Sequence, residues 1–342
     1  MPGINLIIWK KLYQAAVEFK KLAPWKWFTE KHIFGVQNPL DHQIGFCSIL
    51  GNKGEHFALA VYPGVEGLKS FLDLSQNRGS YFRDLYYSQK CLMTSFENSQ
   101  LITAPDKEII NSLGLKFRGR NAWPLFRNYL PGYYPWYLEN ESQAQFITVC
   151  LTQAAKIAIH HINGVDAILS AFEDEYFVKV PVKNETNLNW IDRWISVPQS
   201  DELPVPEIKL DFDRLSLFKH SVHHTDEKWI LDYFFSPIPV KDDDERPYFT
   251  KIFILANAHN SMLIDSFTFK DDEYFSILPK QILELIEKRT RIPEEIQSVK
   301  PEIFQLLKPL TEYLGIRQVA LDSSPLVDSI HERIFQSLEN LK

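Results

Sequence analysis

The order of apolar segments in the last third of the chain restricts its fold more than any other feature. Runs rich in β-branched and aromatic residues predict three strands, at 229–235, 249–256 and 262–269. Leucine and isoleucine at helical spacing then predict three helices, at 277–290, 301–315 and 325–338. Short strand-like runs separate these helices, at 296–299 and 316–321. The predicted order of elements is therefore β-β-β-α-β-α-β-α.

The first half of the chain predicts an α+β domain with an antiparallel sheet. Helical spacing of apolar residues is present at 6–22 and at 139–162. Turn residues separate three strand-like runs, at 33–37, 44–50 and 56–62, and a further strand is predicted at 91–96. We place this N-terminal domain at 1–165, a connecting region with a proline-rich linker near 197–207 at 166–227, and the C-terminal domain at 228–342.

Composition excludes several classes of protein. A chain of 342 residues exceeds what one hydrophobic core usually serves, and its 45% hydrophobic content excludes wholesale disorder. The three cysteines, Cys47, Cys91 and Cys150, are odd in number and far apart, which excludes a disulfide framework and a four-cysteine zinc site. No apolar run approaches the length of about 18 residues that a membrane span needs. We expect a cytoplasmic protein without a membrane anchor or a membrane partner.

Charge is distributed unevenly between the two halves. Residues 1–165 hold 17 Lys and Arg against 12 Asp and Glu, a net charge of +5, whereas residues 166–342 hold 20 against 32, a net charge of −12. An acidic surface repels a phosphate backbone. Any nucleic-acid partner is therefore expected to bind through residues 1–165, and the acidic second half favours a protein partner of unknown identity.

Several segments resemble known families. The segments LKFRGRNAWP at 115–124, PGYYPW at 131–136 and RPYF at 246–249 resemble those of a family of uncharacterised bacterial proteins, in which such an N-terminal region precedes such a C-terminal domain. The element order of the last third resembles the ribonuclease-H-like fold of ribonucleases H, integrases and transposases. The segment IPEEIQSV at 292–299, before a helix that ends at Gly315, is similar to the integrase stretch leading into the fourth strand.

The ribonuclease-H-like resemblance implies a set of metal-binding carboxylates. Catalysis in that fold needs several carboxylates around two divalent cations, Mg²⁺ or Mn²⁺. The resemblance places the first-strand acid at Asp232 and the last-helix acid at Asp328 or Glu332. The fourth strand ends at Lys300, where an acid is expected. The set is therefore incomplete, and the alternative interpretation of Asp232 is a solvent-facing strand residue between Leu231 and Tyr233.

Other candidate ligands come from two further segments. The first-helix acid of the resemblance would be Glu284 or Glu287, although surface helices hold such residues anyway. His220, His223 and His224 would lie together on a helix and could bind zinc, but the alternative is a polar loop whose imidazoles face water.

Basic and aromatic side chains alternate between 115 and 137. Guanidinium groups bind phosphate or carboxylate, and aromatic faces stack on bases. The candidate anion- or base-binding residues are Lys116, Arg118, Arg120, Trp123, Arg127 and Trp136. The alternative is an irregular loop that buried aromatic residues hold in place, with arginines bonded to carbonyl groups.

Three functions remain open from the sequence. We expect a non-catalytic binding or assembly protein with a degenerate ribonuclease-H-like domain and no cofactor. The first alternative is a metal-dependent nuclease that uses Mg²⁺ or Mn²⁺, which predicts that Asp232 and Glu332 lie close together. The second is a small-molecule enzyme that holds an anionic substrate with the Arg/aromatic segment, which predicts a pocket beneath that segment.

Overall fold

The computed structural model of the protein divides into two compact units. It describes residues 5–75, 87–170, 172, 174–183, 187–197, 216, 222–242, 246–271 and 273–339. The first unit comprises Met1–Ser75, Gln89–Leu130 and Pro135–Gln199. The second comprises Gln76–Ser88, Pro131–Tyr134 and Ser200–Lys342. None of the helices among the described residues is long and apolar enough to cross a bilayer.

The first unit is built on a sheet of seven strands. They are β1 (Phe34–Gln37), β2 (Ile44–Leu50), β3 (Ala58–Pro63), β4 (Cys91–Glu97), β5 (Trp123–Tyr129), β6 (Glu175–Lys183) and β7 (Leu188–Ser196). Their order is β5-β4-β3-β2-β1-β6-β7. Neighbouring strands are antiparallel, except that β1 and β6 are parallel. The predicted meander of three strands is confirmed, and further strands extend it on both sides.

Helices cover both faces of this sheet. They are α1 (Leu6–Leu22), α2 (Gly64–Ser75), α3 (Ala104–Ser112) and α4 (Glu141–His160). The α1 and α4 helices share one apolar core with the inward side chains of β1 to β5, whereas α2 packs on the opposite face through Leu68 and Phe71. The α1 helix begins where the Asn5 side chain accepts a hydrogen bond from the Ile7 N–H, and it ends at Ala23 in the left-handed conformation.

Two parts of the predicted organisation of this unit need correction. Residues 123–129, predicted to lie in an irregular loop, form β5, because Pro124, Phe126 and Asn128 alternate as buried side chains and the backbone pairs with β4. Residues 175–183 and 188–196 are strands β6 and β7 of this sheet, and not a connecting region, because residues 176–178 are buried in its core. Of the predicted linker near 197–207, only Val197 lies among the described residues.

The second unit contains a mixed sheet of five strands in the order β11-β10-β9-β13-β14. Its strands and the two of a separate short pair are β8 (His223–His224), β9 (Lys228–Phe235), β10 (Lys251–Asn257), β11 (Leu263–Phe269), β12 (Arg291–Ile292), β13 (Glu295–Ser298) and β14 (Arg317–Ala320). Strands β9 to β11 are antiparallel, and β13 and β14 run parallel to β9. The helices are α5 (Tyr274–Arg289), α6 (Pro301–Leu314) and α7 (Pro325–Glu339). The predicted order of elements is confirmed, with the short β12 added, and the chain has an α+β fold.

Two segments from the first half of the sequence belong to the second unit. The Tyr87 ring lies 4.6 Å from the Phe249 ring, measured between centroids. The Gly132 N–H donates to the Tyr87 carbonyl at 2.8 Å, and the Phe249 N–H donates to the Gly132 carbonyl at 2.7 Å. Gly132 has a φ of +75°, and a Cβ at this position would overlap the Asp271 side chain. Glycine is therefore required where this segment packs on the second unit.

Candidate functional site

Asp232 lies in the middle of β9, on the face of the second sheet that α7 covers. Ile230, two residues before it, packs against Val327, and the Phe234 ring, two residues after it, lies 4.4 Å from the His331 ring. Because strand side chains alternate between faces, Asp232 points to the same side as these two neighbours. Its exposed fraction is 0%. The interpretation of Asp232 as a solvent-facing residue is therefore wrong, because both faces of β9 are covered.

The Lys300 ammonium lies beside this buried carboxylate. Lys300 Nζ is 4.0 Å from Asp232 Oδ1, and only 11% of the Lys300 side chain is exposed. The position follows from the fold, because Lys300 is the N-cap residue of α6 and comes just after β13, which pairs with β9. The Tyr233 N–H also donates to Asp232 Oδ1, at 2.7 Å. The charge of the buried carboxylate is thus compensated by a cation of the protein itself.

A second buried lysine lies on the opposite face of the same sheet. Lys251 Nζ of β10 is 2.6 Å from Asp271 Oδ1 and 4.4 Å from the centre of the Tyr233 ring. Lys300 Nζ is 3.6 Å from the centre of that ring, whose hydroxyl donates to Glu302 Oε1 at 2.7 Å. Burial lowers the pKa of Lys251 and outweighs the opposing effect of the Asp271 carboxylate. This group of charged and aromatic side chains was not predicted from the sequence. A lysine at the start of the apolar strand β10 was the signal that could have indicated a buried cation.

The candidate acids of the last helix are not part of the buried cluster. On α7 the buried side chains recur every four residues, at Val327, His331 and Phe335. Asp328 and Glu332 each follow one of them by one residue, a rotation of about 100° around the helix, and both are exposed. Both acids therefore lie outside the buried stripe of α7, whereas Asp232 is fully buried, and the close approach of Asp232 and Glu332 that a nuclease requires stays a prediction.

The remaining acids do not complete a metal centre. On α5, Glu284 is exposed and Glu287 is half-buried. Across the part of the chain that the structure describes, no group of three or more His, Cys, Asp or Glu side chains is arranged to hold a metal ion. The surroundings of Asp232 do not fit a two-metal site, because an ammonium group lies where such a site needs further carboxylate oxygens.

The candidate histidine ligands are also separated. His223 and His224 form the short strand β8, which pairs in parallel with β12, and both are exposed. Adjacent side chains of a strand point to opposite faces, so these imidazoles do not converge as they would on a helix. His220 lies outside the described residues.

Arg127, a candidate anion-binding residue, belongs to a buried ion pair. Its guanidinium donates to both oxygens of Asp106, from Nη1 at 3.0 Å and from Nη2 at 2.7 Å. It also donates to the Phe126 carbonyl at 2.8 Å and lies 4.6 Å from the centre of the Tyr137 ring. Asp106 is fixed in turn by a capping box with Thr103 at the start of α3. Arg127 is therefore occupied by structural contacts.

The other members of the Arg/aromatic set differ in exposure. Lys116, Arg118 and Arg120 are exposed in the loop between α3 and β5. Trp123 is half-buried, and its ring lies 5.7 Å from the Phe117 ring, measured between centroids. Phe117, which is next to Arg118 in the chain, packs against the apolar core of the first unit. Trp136 is half-buried beside Tyr137 and pairs with Asn128 through the backbone. The structure thus brings the three exposed cations onto one loop and separates them from Arg127.

We expect Arg127→Met to lower the free energy of unfolding by about 3 kcal/mol, because it leaves the buried Asp106 carboxylate without its guanidinium partner. Urea unfolding followed by tryptophan fluorescence measures this loss. Arg118→Ala and Arg120→Ala are the matched controls, with expected changes below about 0.5 kcal/mol. An Arg127→Met variant as stable as the unmodified protein would show that this ion pair does not hold α3 and β5 together.

Comparison of the sequence with protein families assigns the first half of the chain. Residues 9–179, half of its length, match the domain of unknown function DUF7309. The chain belongs to the DUF7309 family. The DUF7309 region ends within β6, and residues 215–335 match a second domain of unknown function, DUF6930. The predicted resemblance to a family of uncharacterised proteins is thereby confirmed.

No curated protein matches the chain, and no solved structure matches it. The ribonuclease-H-like identity of the second unit therefore stays a prediction.

Proposed function

We propose that this DUF7309 protein is a non-catalytic binding or assembly protein, whose second unit has a degenerate ribonuclease-H-like fold. The proposal rests on one observation, the Lys300 ammonium 4.0 Å from the buried Asp232 carboxylate. At an effective dielectric constant of about 20, opposite unit charges at this separation attract by about 4 kcal/mol. A divalent cation at Asp232 would forfeit this attraction and would be repelled by the ammonium.

The packing of the second unit supports a domain that stays folded without catalytic carboxylates. The order of elements from β9 to α7 agrees with the ribonuclease-H-like resemblance, in which β9 carries the first acid. Apolar side chains on both faces of β9 contribute to the hydrophobic clusters of the second unit, and the packing of these clusters does not depend on a metal ion. Loss of the carboxylate set would therefore remove catalysis and leave the sheet intact.

The charge distribution supports the choice of partner. Residues 166–342 have a net charge of −12, which favours a basic protein surface over a nucleic acid. We place this binding protein in the bacterial cytoplasm, in keeping with three buried free thiols and no predicted disulfide.

Calorimetric titration with Mn²⁺ and Mg²⁺ tests the proposal on the full-length protein. We expect no saturable binding, because the position next to Asp232 already holds a cation. Asp232→Asn is the control variant, and it should give the same titration as the unmodified protein. Saturable binding of Mn²⁺ that Asp232→Asn abolishes would overturn the proposal and restore the metal-dependent nuclease.

A further inference from the structure

Strand β7 forms one edge of the seven-stranded sheet of the first unit. It pairs with β6 along all of its residues, and none of the other strands among the described residues pairs with it. The opposite edge of the sheet differs, because Asn128 of β5 exchanges backbone hydrogen bonds with Trp136. An edge strand as long as β7 presents a row of N–H and C=O groups with which a strand of another chain can pair.

The pairing with β6 determines which backbone groups of β7 face outward. The Val197 N–H donates to the Asp174 carbonyl at 2.7 Å, which continues the register of the β6–β7 pair. Because backbone groups alternate in direction along a strand, residues 189, 191, 193 and 195 also bond to β6. Pro181 lacks an N–H and lies opposite Trp190, where this pattern needs no hydrogen bond between the two strands. The backbone groups of residues 188, 190, 192, 194 and 196 therefore point away from the sheet.

Two large apolar side chains of β7 are exposed beside this row of backbone groups. Leu188 is 46% exposed and Trp194 is 44% exposed. Both lie on the face of the sheet where Trp190 packs against the first core. The Trp194 ring contacts the Phe177 ring, with 5.8 Å between centroids, and this contact holds it on that face. Apolar side chains next to an open strand edge are typical of a surface that another chain covers.

The sequence of β7 favours a second copy of the same strand as the occupant of this edge. A strand that pairs antiparallel with its own copy has a two-fold axis at one residue. An axis at Asp192 would oppose two carboxylates, and an axis at Arg193 would oppose two guanidinium groups, which destabilises a sheet. An axis at Ile191 places Leu188 opposite Trp194 of the partner subunit and Trp190 opposite the partner's Asp192. Of these three axes, the one at Ile191 opposes no like charges and pairs the exposed apolar side chains with each other.

We propose that β7 pairs antiparallel with β7 of a second copy of this chain, about a two-fold axis at Ile191. Residues 188–194 of the two strands overlap, and the outward groups of residues 188, 190, 192 and 194 form the backbone hydrogen bonds between the copies. Charge does not oppose this contact, because β7 holds one acid and one base, and Asp192 is ion-paired with Lys179 of β6. The pairing does not depend on the carboxylate position of the second unit.

Sedimentation equilibrium of the full-length protein tests the backbone pairing. We expect the unmodified protein to have twice the mass of one chain at micromolar concentration. Asp192→Pro removes an outward N–H near the centre of the overlap, at a position where an edge strand tolerates proline, and should weaken dimerisation at least tenfold. Ser196→Pro makes the same change on the same edge, outside the overlap, and should leave the dimer unchanged.

A second pair of variants tests the side-chain contact. Leu188→Asp replaces an exposed apolar side chain by a charge opposite the partner's Trp194 and should also weaken dimerisation at least tenfold. Leu101→Asp is the matched control, because Leu101 is 58% exposed in a short 3₁₀ helix outside the sheet. The melting temperature, followed by circular dichroism, identifies the variants that remain folded.

Cross-linking locates the axis. Ile191→Cys brings two thiols together at a pair whose Cα atoms lie about 4.5 Å apart, within disulfide range. Arg193→Cys places them four residues apart along the pair, about 14 Å, which is beyond that range. We expect diamide, which takes up the two electrons and two protons of the thiols, to link the copies through Ile191→Cys and not through Arg193→Cys. The three native cysteines are buried.

Three results would each overturn the proposal. The first is a monomeric unmodified protein, which would leave the β7 edge to a partner of different sequence. The second is a dimer that persists in either Asp192→Pro or Leu188→Asp when that variant is folded. The third is cross-linking of Arg193→Cys as readily as of Ile191→Cys.

Discussion

We expect Asp232→Leu and Lys300→Met, introduced singly, to lower the free energy of unfolding by about 3 to 5 kcal/mol each, because each leaves one buried charge without compensation. The double variant is expected to recover most of that loss, since well-packed apolar side chains often replace a buried ion pair without cost. Urea unfolding followed by circular dichroism gives the four stabilities and hence the coupling energy between the two positions.

The exposed pair of Lys308 and Glu312 on α6 is the control for this cycle. Their charged atoms lie 3.9 Å apart, close to the separation of Lys300 and Asp232, but 65% and 67% of their side chains are exposed. Water screens such a pair, and the expected coupling is below about 0.5 kcal/mol. An equally small coupling between Asp232 and Lys300 would show that the lysine does not compensate the carboxylate.

Glu295→Gln is expected to destabilise the protein by about 3 kcal/mol at neutral pH. Glu295 lies on the inner strand β13, with 4% of its side chain exposed, between Lys228 on β9 and Arg317 on β14. Lys228 Nζ is 3.3 Å from Oε1, and Arg317 Nε donates to Oε2 at 3.0 Å. A neutral glutamine keeps the shape of this side chain but leaves Lys228 without this counter-charge and leaves Arg317 with only the exposed Glu294 carboxylate.

The same site predicts a pH dependence. Burial raises the pKa of Glu295, but hydrogen bonds from Gln297, Arg317 and Lys228 outweigh it and hold the pKa below its ordinary value. Its stabilising contribution is therefore complete above the unfolded-state pKa of about 4.3 and is lost as the pH falls through the lower pKa of the folded protein. Unfolding measured across this range should show a steeper loss in the unmodified protein than in Glu295→Gln.

The exposed Glu294→Gln is the neighbouring control for both measurements on Glu295. Glu294 also contacts Arg317, at 3.1 Å, but 45% of its side chain is exposed. Its replacement should change stability little and leave the acid dependence unchanged. Equal effects of the two substitutions would contradict a special role for the buried carboxylate.

Sequence patterns predicted the elements whose apolar faces are buried. Helix α1 and strands β1 and β2 follow the predicted bounds closely, because α1 has a regular apolar period and turn residues separate the two short apolar strands. Strand β7 is mostly exposed, so burial imposes no such period on it. Helix α3 has only nine residues, although the capping box of Thr103 and Asp106 was a readable signal.

The candidate sites were less accessible to sequence reasoning. The cation at the end of the fourth predicted strand was identifiable, since Lys300 follows directly from the element order. The burial of Asp232 was missed, although the nearly continuous apolar run of β9 is typical of a strand covered on both faces.

The assignment of Pro131–Tyr134 to the second unit has a consequence for the order of events during synthesis. The Arg246 Nε donates to the Tyr134 carbonyl at 2.9 Å, and these residues are 112 positions apart in the chain. At about 5 to 20 residues per second, a ribosome needs roughly 6 to 22 s to make the intervening chain. During this interval the aromatic side chains around Gly132 lack β9 and β10. Nascent chains that end between these two positions therefore expose aromatic side chains that the complete protein buries or pairs, and exposed apolar surface of this kind favours aggregation.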